Sequence, residues 1–224
     1  GEYTMSQAQW ADLLLGGLWD TLYMTIPSTI LAYLIGMPLG ILFVITGRDH
    51  ILPRVRLNAA LGVVINFLRS IPFIILLAML IPITRLVMGS GIGTRSLIFP
   101  LVISAFPYVA RMVEGSLNEV DRGVIEAAQS MGSTTAQIIF KVMIPEAMPS
   151  LLNGAAIVTV TILGYTAMAS AAGGGGLGAI AITKGLNLRR MDIMYAASIA
   201  LVALVQLITI TGNRYTRSID HRKR

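Results

Sequence analysis

The chain has 224 residues, 55% of them hydrophobic and only 12% charged, with a mean hydropathy of +0.75 and a net charge of +6. A soluble domain carries about 25% charged residues, and a core of this size cannot hide so much apolar surface, so the excess faces lipid and a soluble globular fold is excluded. Cysteine is absent, which removes disulfides, thiolate metal sites and thiol catalysis, and the two histidines, His50 and His221, sit in polar flanks as no ligand pair. In a membrane protein the positive balance marks the cytoplasmic side and does not require nucleic acid as a partner.

The opening GEYT ahead of Met5 reads either as native sequence or as an addition. No basic n-region precedes the first long apolar run, so no cleavable signal peptide is expected. The stretch "WADLLLGGLW" reads as an interfacial helix with Trp10 and Trp19 at headgroup level. Five apolar segments follow, at roughly 20–46, 58–83, 97–119, 147–172 and 191–213, each reaching the ~20 residues a spanning helix needs. Pro27, Pro38, Pro72 and Pro107 lie inside them, where neighbouring helices can satisfy the freed backbone groups. Gly36 and Gly40, and Ala167 and Ala171, have the small-xxx-small spacing that allows close helix approach. With the N-terminus outside, ten of the fifteen loop and tail cations fall inside and five outside, so the positive-inside rule predicts N-out, C-in. The loop carrying Lys184, Arg189 and Arg190 is the part that opposes this orientation.

That topology makes residues 121–145 a cytoplasmic segment. Val124, Ala128, Met131, Thr135, Ile138 and Val142 recur at helical spacing and predict one apolar face. Gly132 is placed to end a helix in the left-handed conformation, Ser133 or Thr134 to cap a second one, and Pro145 to stop it. Helix, glycine bend, helix is the expected result. On the pattern alone two readings stay open, a membrane-surface helix pair and a docking element for a soluble partner.

"EAA", three residues, Gly, nine residues and "VMIP" resemble the EAA motif of permease subunits of bacterial ATP-binding-cassette importers. Glu126, Ala127, Ala128, Gly132 and Pro145 match it outright, and Val142 and Ile144 are conservative departures. "LWDTLYMT", "NFLRSIPFIILL", "PYVARMVEGSL" and "GGGGLG" are similar to the permeases of methionine importers. The resemblance implies an all-α polytopic fold of five transmembrane helices forming one domain over 1–224, in a bacterial inner membrane. It implies a homodimer and two cytoplasmic ATPase subunits that hold ATP and Mg. An extracytoplasmic methionine-binding protein would deliver L- or D-methionine. The seven motif residues would then form a coupling segment gripped by the ATPase. An importer for another small polar solute is the alternative.

Other signals are weaker. "GGGGLG" satisfies GxGxxG at Gly173, Gly175 and Gly178, yet it follows a span and lacks the strand and βαβ unit of a nucleotide fold, so a tight turn is expected. No Walker A loop occurs, so energy must come from a partner. Arg69, with Asn58, Gly62 and Asn66 at helical spacing, forms a polar stripe near the middle of the second segment. It either lines a translocation path or gate, or bonds carbonyls freed near Pro72. Tyr165 and Met168 are further path candidates, from polarity and family position. Arg111 and Glu114 read as a local ion pair. Enzyme motifs are missing, and an ion-coupled secondary transporter would need midplane acids that no segment carries.

Overall fold

The computed structural model describes residues 5–219, and every regular element among them is helical. His221, Arg222, Lys223, Arg224 and the residues ahead of Met5 lie outside the described residues. The helices are α1 (Gln7–Ile45), α2 (Val55–Ser70), α3 (Phe73–Met88), α4 (Ile98–Asn118), α5 (Arg122–Ser130), α6 (Thr135–Ala172), α7 (Leu177–Leu186) and α8 (Met191–Ile219). Four of them, α1, α4, α6 and α8, are long and apolar enough to cross a membrane; α2 and α3 add a fifth span if counted as one broken helix.

Three expectations change here. The stretch 10–19 is no separate interfacial helix, because α1 runs unbroken from Gln7 to Ile45. No residue near Gly16 and Gly17 ends the helix, and the apolar run simply continues.

The segment 58–83 is not one helix either. Ile71 (φ −86, ψ 120) and Pro72 (φ −56, ψ 138) are extended, and α3 starts afresh at Phe73. Proline pushes its predecessor out of the α region. Ser70 Oγ donates to the Asn66 carbonyl (2.8 Å), and Arg69 in the last turn complements the helix dipole. Pro27, Pro38 and Pro107, by contrast, are carried inside α1 and α4.

Pro145 does not stop its helix, and α6 passes through it into the long apolar run. Residues Ile138–Met143 form a π turn immediately before it. The wider turn accommodates a residue that has no N–H and whose ring crowds the preceding turn of an α-helix.

The chain divides into two compact units. The first comprises residues up to Ile30, Pro72–Ile103 and Thr159–Ile208. Its core holds Met24, Phe73, Leu77, Leu97, Leu101, Ala169 and Ala172, with Tyr165 stacked on Phe73 at 4.7 Å between centroids. The glycine run makes the expected tight turn after α6, with positive φ at Gly173 (72) and Gly176 (102). Thr21 Oγ1 accepts from the Leu177 N–H (2.9 Å), and Thr94 Oγ1 from the Gly175 N–H (3.0 Å), which ties the turn to α1 and to the start of α4.

The second unit comprises Leu31–Ile71, Ser104–Val158 and the chain from Thr209. Gly36 and Gly40 let α1 lie against α4. A Cβ on Gly36 would stand 2.6 Å from the Phe106 carbonyl oxygen and from Val109 Cβ, and one on Gly40 would stand 2.7 Å from Ala110 O and Val113 Cβ. No side chain fits there. The small-residue spacing is thus a helix contact made by glycine alone.

Candidate functional site

The segment 121–145 is built as a helix, a left-handed glycine and a second helix. The Asp121 carboxylate accepts from the Gly123 N–H (2.6 Å) and caps α5. At the other end Gly132 has φ +78, the Ser133 N–H donates to the Ala128 carbonyl (3.1 Å) and the Gly132 N–H to the Gln129 carbonyl (2.9 Å). This double bond pattern closes a helix around a residue in the left-handed region. Thr134 then opens α6 with a reciprocal box: its Oγ1 accepts from the Gln137 N–H, and Gln137 Oε1 accepts from the Thr134 N–H (2.9 Å). Of the two cap candidates, Thr134 is the one used.

The buried face differs from the expected stripe. Ala128 and Ile138 are buried, but so are Ile125, Ile139 and Met143, while Val124 is 44% and Met131 79% exposed. The left-handed residue resets the helical phase, so positions counted at steps of three and four through Gly132 no longer share a face. Glu126 and Ala127 are exposed, Val142 and Ile144 half-buried, and Pro145 exposed. α5 packs against the π turn of α6 within this unit. The outcome is a firmly capped bend that leaves Glu126, Ala127, Met131 and Gly132 on the surface.

Beside α5 lies a recess of about 100 Å³ lined by Asp49, His50 and Ile51 from the α1–α2 loop and by Arg122, Ile125 and Glu126. Burial, and then the Arg122 charge, hold the His50 imidazole below its ordinary pKa, so it is mainly neutral at pH 7. Sequence reading missed this grouping, because residues so far apart in the chain meet only through folding.

The polar stripe of α2 faces its own unit. Asn58 donates to the Phe43 carbonyl and to Thr46 Oγ1 (3.2 Å), Gly62 approaches the Phe43 ring, and Asn66 Oδ1 accepts from Arg111 Nη2 (2.7 Å). Arg111 also meets Glu114 at 2.6 Å, the local pair expected, and its guanidinium lies 4.7 Å from the Phe43 ring centroid. Asn66 therefore joins a network linking α1, α2 and α4. Arg69 stays exposed and has no hydrogen-bond partner among the described residues. In the first unit Tyr165 is held by its stack on Phe73, and Met168 is 51% exposed.

Comparison with known proteins places this architecture. Residues 36–224 match the family described as binding-protein-dependent transport system inner membrane component. The chain is 45% identical over 219 residues to the probable D-methionine transport system permease protein MetI of Vibrio cholerae, covering 96% of this chain and 97% of that one. It is 46% identical over 156 residues to the D-methionine transport system permease protein MetI of Salmonella typhimurium, covering 70% and 72%. A solved structure of the MetNI methionine ABC transporter in inward-facing conformations superposes with a TM-score of 0.94 at 41% identity, covering 97% of this chain and 100% of that one. An all-helical chain with several spans and no enzyme motif thus finds its relatives among transport components. The chain belongs to the family of binding-protein-dependent transport system inner membrane components.

Proposed function

We propose that this chain is the permease subunit of an ATP-driven importer that carries methionine, in the L and D forms, across the inner membrane. The observation that carries the reading is near full-length likeness to D-methionine permeases, together with the match to a methionine transporter structure. Two copies of the chain enclose the path, since four or five spans are few to surround a polar solute. Two cytoplasmic ATPase subunits hold ATP and Mg and supply the energy, and an external binding protein delivers the solute.

The coupling element in this reading is the capped bend. Glu126, Ala127, Ala128, Gly132, Val142, Ile144 and Pro145 carry the motif, and the exposed Met131 and Val124 beside them are apolar surface suited to a groove in the ATPase. On the path side, Arg69 is the candidate left without an internal partner, with Asn66 one turn before it in the second unit; Tyr165 and Met168 are separate candidates in the first unit.

Uptake tests the substrate. Cells lacking all methionine uptake should recover it when this chain is expressed with its cognate ATPase and binding protein. Rescue for another amino acid or a metal ion, but not for methionine, would retain the architecture and remove the substrate.

Orientation is tested separately. The positive-inside count supports the N-terminus outside and the C-terminus in the cytoplasm. Because the chain has no cysteine, single introduced thiols report cleanly. Ser6→Cys should react with an impermeant reagent added outside the cell, and Ser218→Cys only after the inner face is opened. The reverse pattern would put the bend on the wrong side for an ATPase.

A further inference from the structure

One groove in the second unit matches none of the roles above. It is lined by Tyr33, Leu34, Met37, Ile41 and Ile45 of α1 and by Phe140 of α6, and it encloses about 390 Å³. Phe140 is 66% and Leu34 66% exposed, so large apolar side chains stand open along it. Both lining helices are membrane-spanning by length and composition. The α1 wall is thus part of a spanning helix, and Phe140 stands in the π turn at the edge of the segment read as cytoplasmic, which sets the groove at the headgroup level.

The end of the groove near Ile45 and Phe140 is rich in cations. Arg48 follows Ile45 by three residues. The α1–α2 loop folds back onto the helix end, with the Leu52 N–H donating to the Ile45 carbonyl (2.9 Å) and the Arg54 N–H to the Thr46 carbonyl (3.0 Å), so Arg54 is held at the same end. Lys141 follows Phe140 directly in the π turn. Arg48, Arg54 and Lys141 are all exposed, and Asp49 is the one acid between Thr46 and Arg54. An apolar groove with three exposed cations on the segments that adjoin one end is complementary to an acyl chain with a negatively charged headgroup. Basic pockets between spanning helices hold anionic lipid headgroups on the same grounds.

We infer that this groove is a binding site for an anionic phospholipid, its acyl chain along α1 and Phe140 and its phosphate among Arg48, Arg54 and Lys141. The site rests on the membrane-spanning fold and not on which solute is carried. An acyl chain needs only the apolar wall, whereas preference for an anionic lipid needs the cations. The two contributions can therefore be separated.

Phe140→Trp puts a fluorophore in the groove. The chain, purified with the subunits that accompany it, is reconstituted in zwitterionic vesicles carrying a small equal fraction of brominated phosphatidylglycerol or brominated phosphatidylcholine. The unaltered chain, with Trp10 and Trp19, sets the background. Quenching of the added tryptophan should be severalfold stronger with the anionic lipid, and Arg48→Gln with Lys141→Gln should erase the difference. Should that variant fail to fold, raised salt applied to Phe140→Trp alone must shrink the preference, since screening acts on an exposed headgroup contact. Equal quenching by both lipids would make the groove ordinary lipid boundary. Quenching by neither would mean that protein, such as a second copy of the chain, covers it. A preference that survives both neutralisation and salt would remove the cations from the site. Each of these three results overturns the proposal.

Discussion

Replacing Gly132 by valine is expected to abolish most transport while the chain still reaches the membrane at near-normal levels. Gly132 sits at φ +78, and a Cβ added there would have nothing within 4 Å, so the substitution meets no clash. Its cost is conformational: a β-branched residue in the left-handed region loses roughly 1–2 kcal/mol. Either the bend keeps its shape under strain, or the bonds from Gly132 and Ser133 back to Gln129 and Ala128 open and α5 swings to a new angle. A rigid groove in an ATPase would tolerate little of the latter. Pull-down of the ATPase should weaken in step with transport. Gly132→Asn is the control, because asparagine accepts the left-handed region better than other residues, and it should retain most transport. Glu126→Ala should do less harm than Gly132→Val, since Glu126 is exposed and its loss removes only a surface carboxylate. Full association and full transport in Gly132→Val would reduce the bend to a surface helix pair and end the coupling reading.

The second large effect is expected at Arg111. Its guanidinium joins Glu114 and Asn66 and lies over Phe43, so three helices of the second unit meet at one side chain. Arg111→Met would leave the Glu114 carboxylate without its cation in a segment that crosses the membrane. Breaking a buried pair on one side costs about 3–5 kcal/mol, and the lower end applies because the two side chains are 23% and 21% exposed. Thermal unfolding in detergent should fall by several degrees. Adding Glu114→Gln should recover most of the loss, since the orphaned charge is then gone. A double variant no more stable than Arg111→Met would mean that the guanidinium works through its packing on Phe43 and not through charge.

Several features were legible before folding because they are local. Composition demanded lipid contact, since the ratio of apolar to charged residues is a property of the chain and not of its arrangement. The glycine bend was readable because only glycine takes φ +78 without cost, and a hydroxyl cap at Ser133 or Thr134 because capping is a short-range device; that Thr134 is the one used came from the structure. The pair Arg111–Glu114 followed from a one-turn spacing. The break at Ile71–Pro72 was also written locally, in Arg69, Ser70 and Pro72, but the apolar run across 58–83 hid it. Hydropathy averages over a window, and a two-residue break does not alter the average.

What the sequence by itself determined is the class of the molecule, an all-helical membrane chain, and the two ends of its bend, where capping is decided within a few residues. Tertiary structure alone decided which faces are used. The stripe expected from Val124 to Val142 is not the buried face: α5 packs against the π turn of α6 with Met131 outside and Ile125 inside. Asn58, half-buried, and Asn66, exposed, are tied to Phe43, Thr46 and Arg111, partners distant in the chain that only folding brings within hydrogen-bond reach. Pro145 lies within a helix because a π turn widens the backbone before it, an adjustment that the packing of Ile138, Ile139 and Met143 holds in place. Spacing along a chain predicts contacts within one or two turns; contacts between distant segments depend on where the other helices lie.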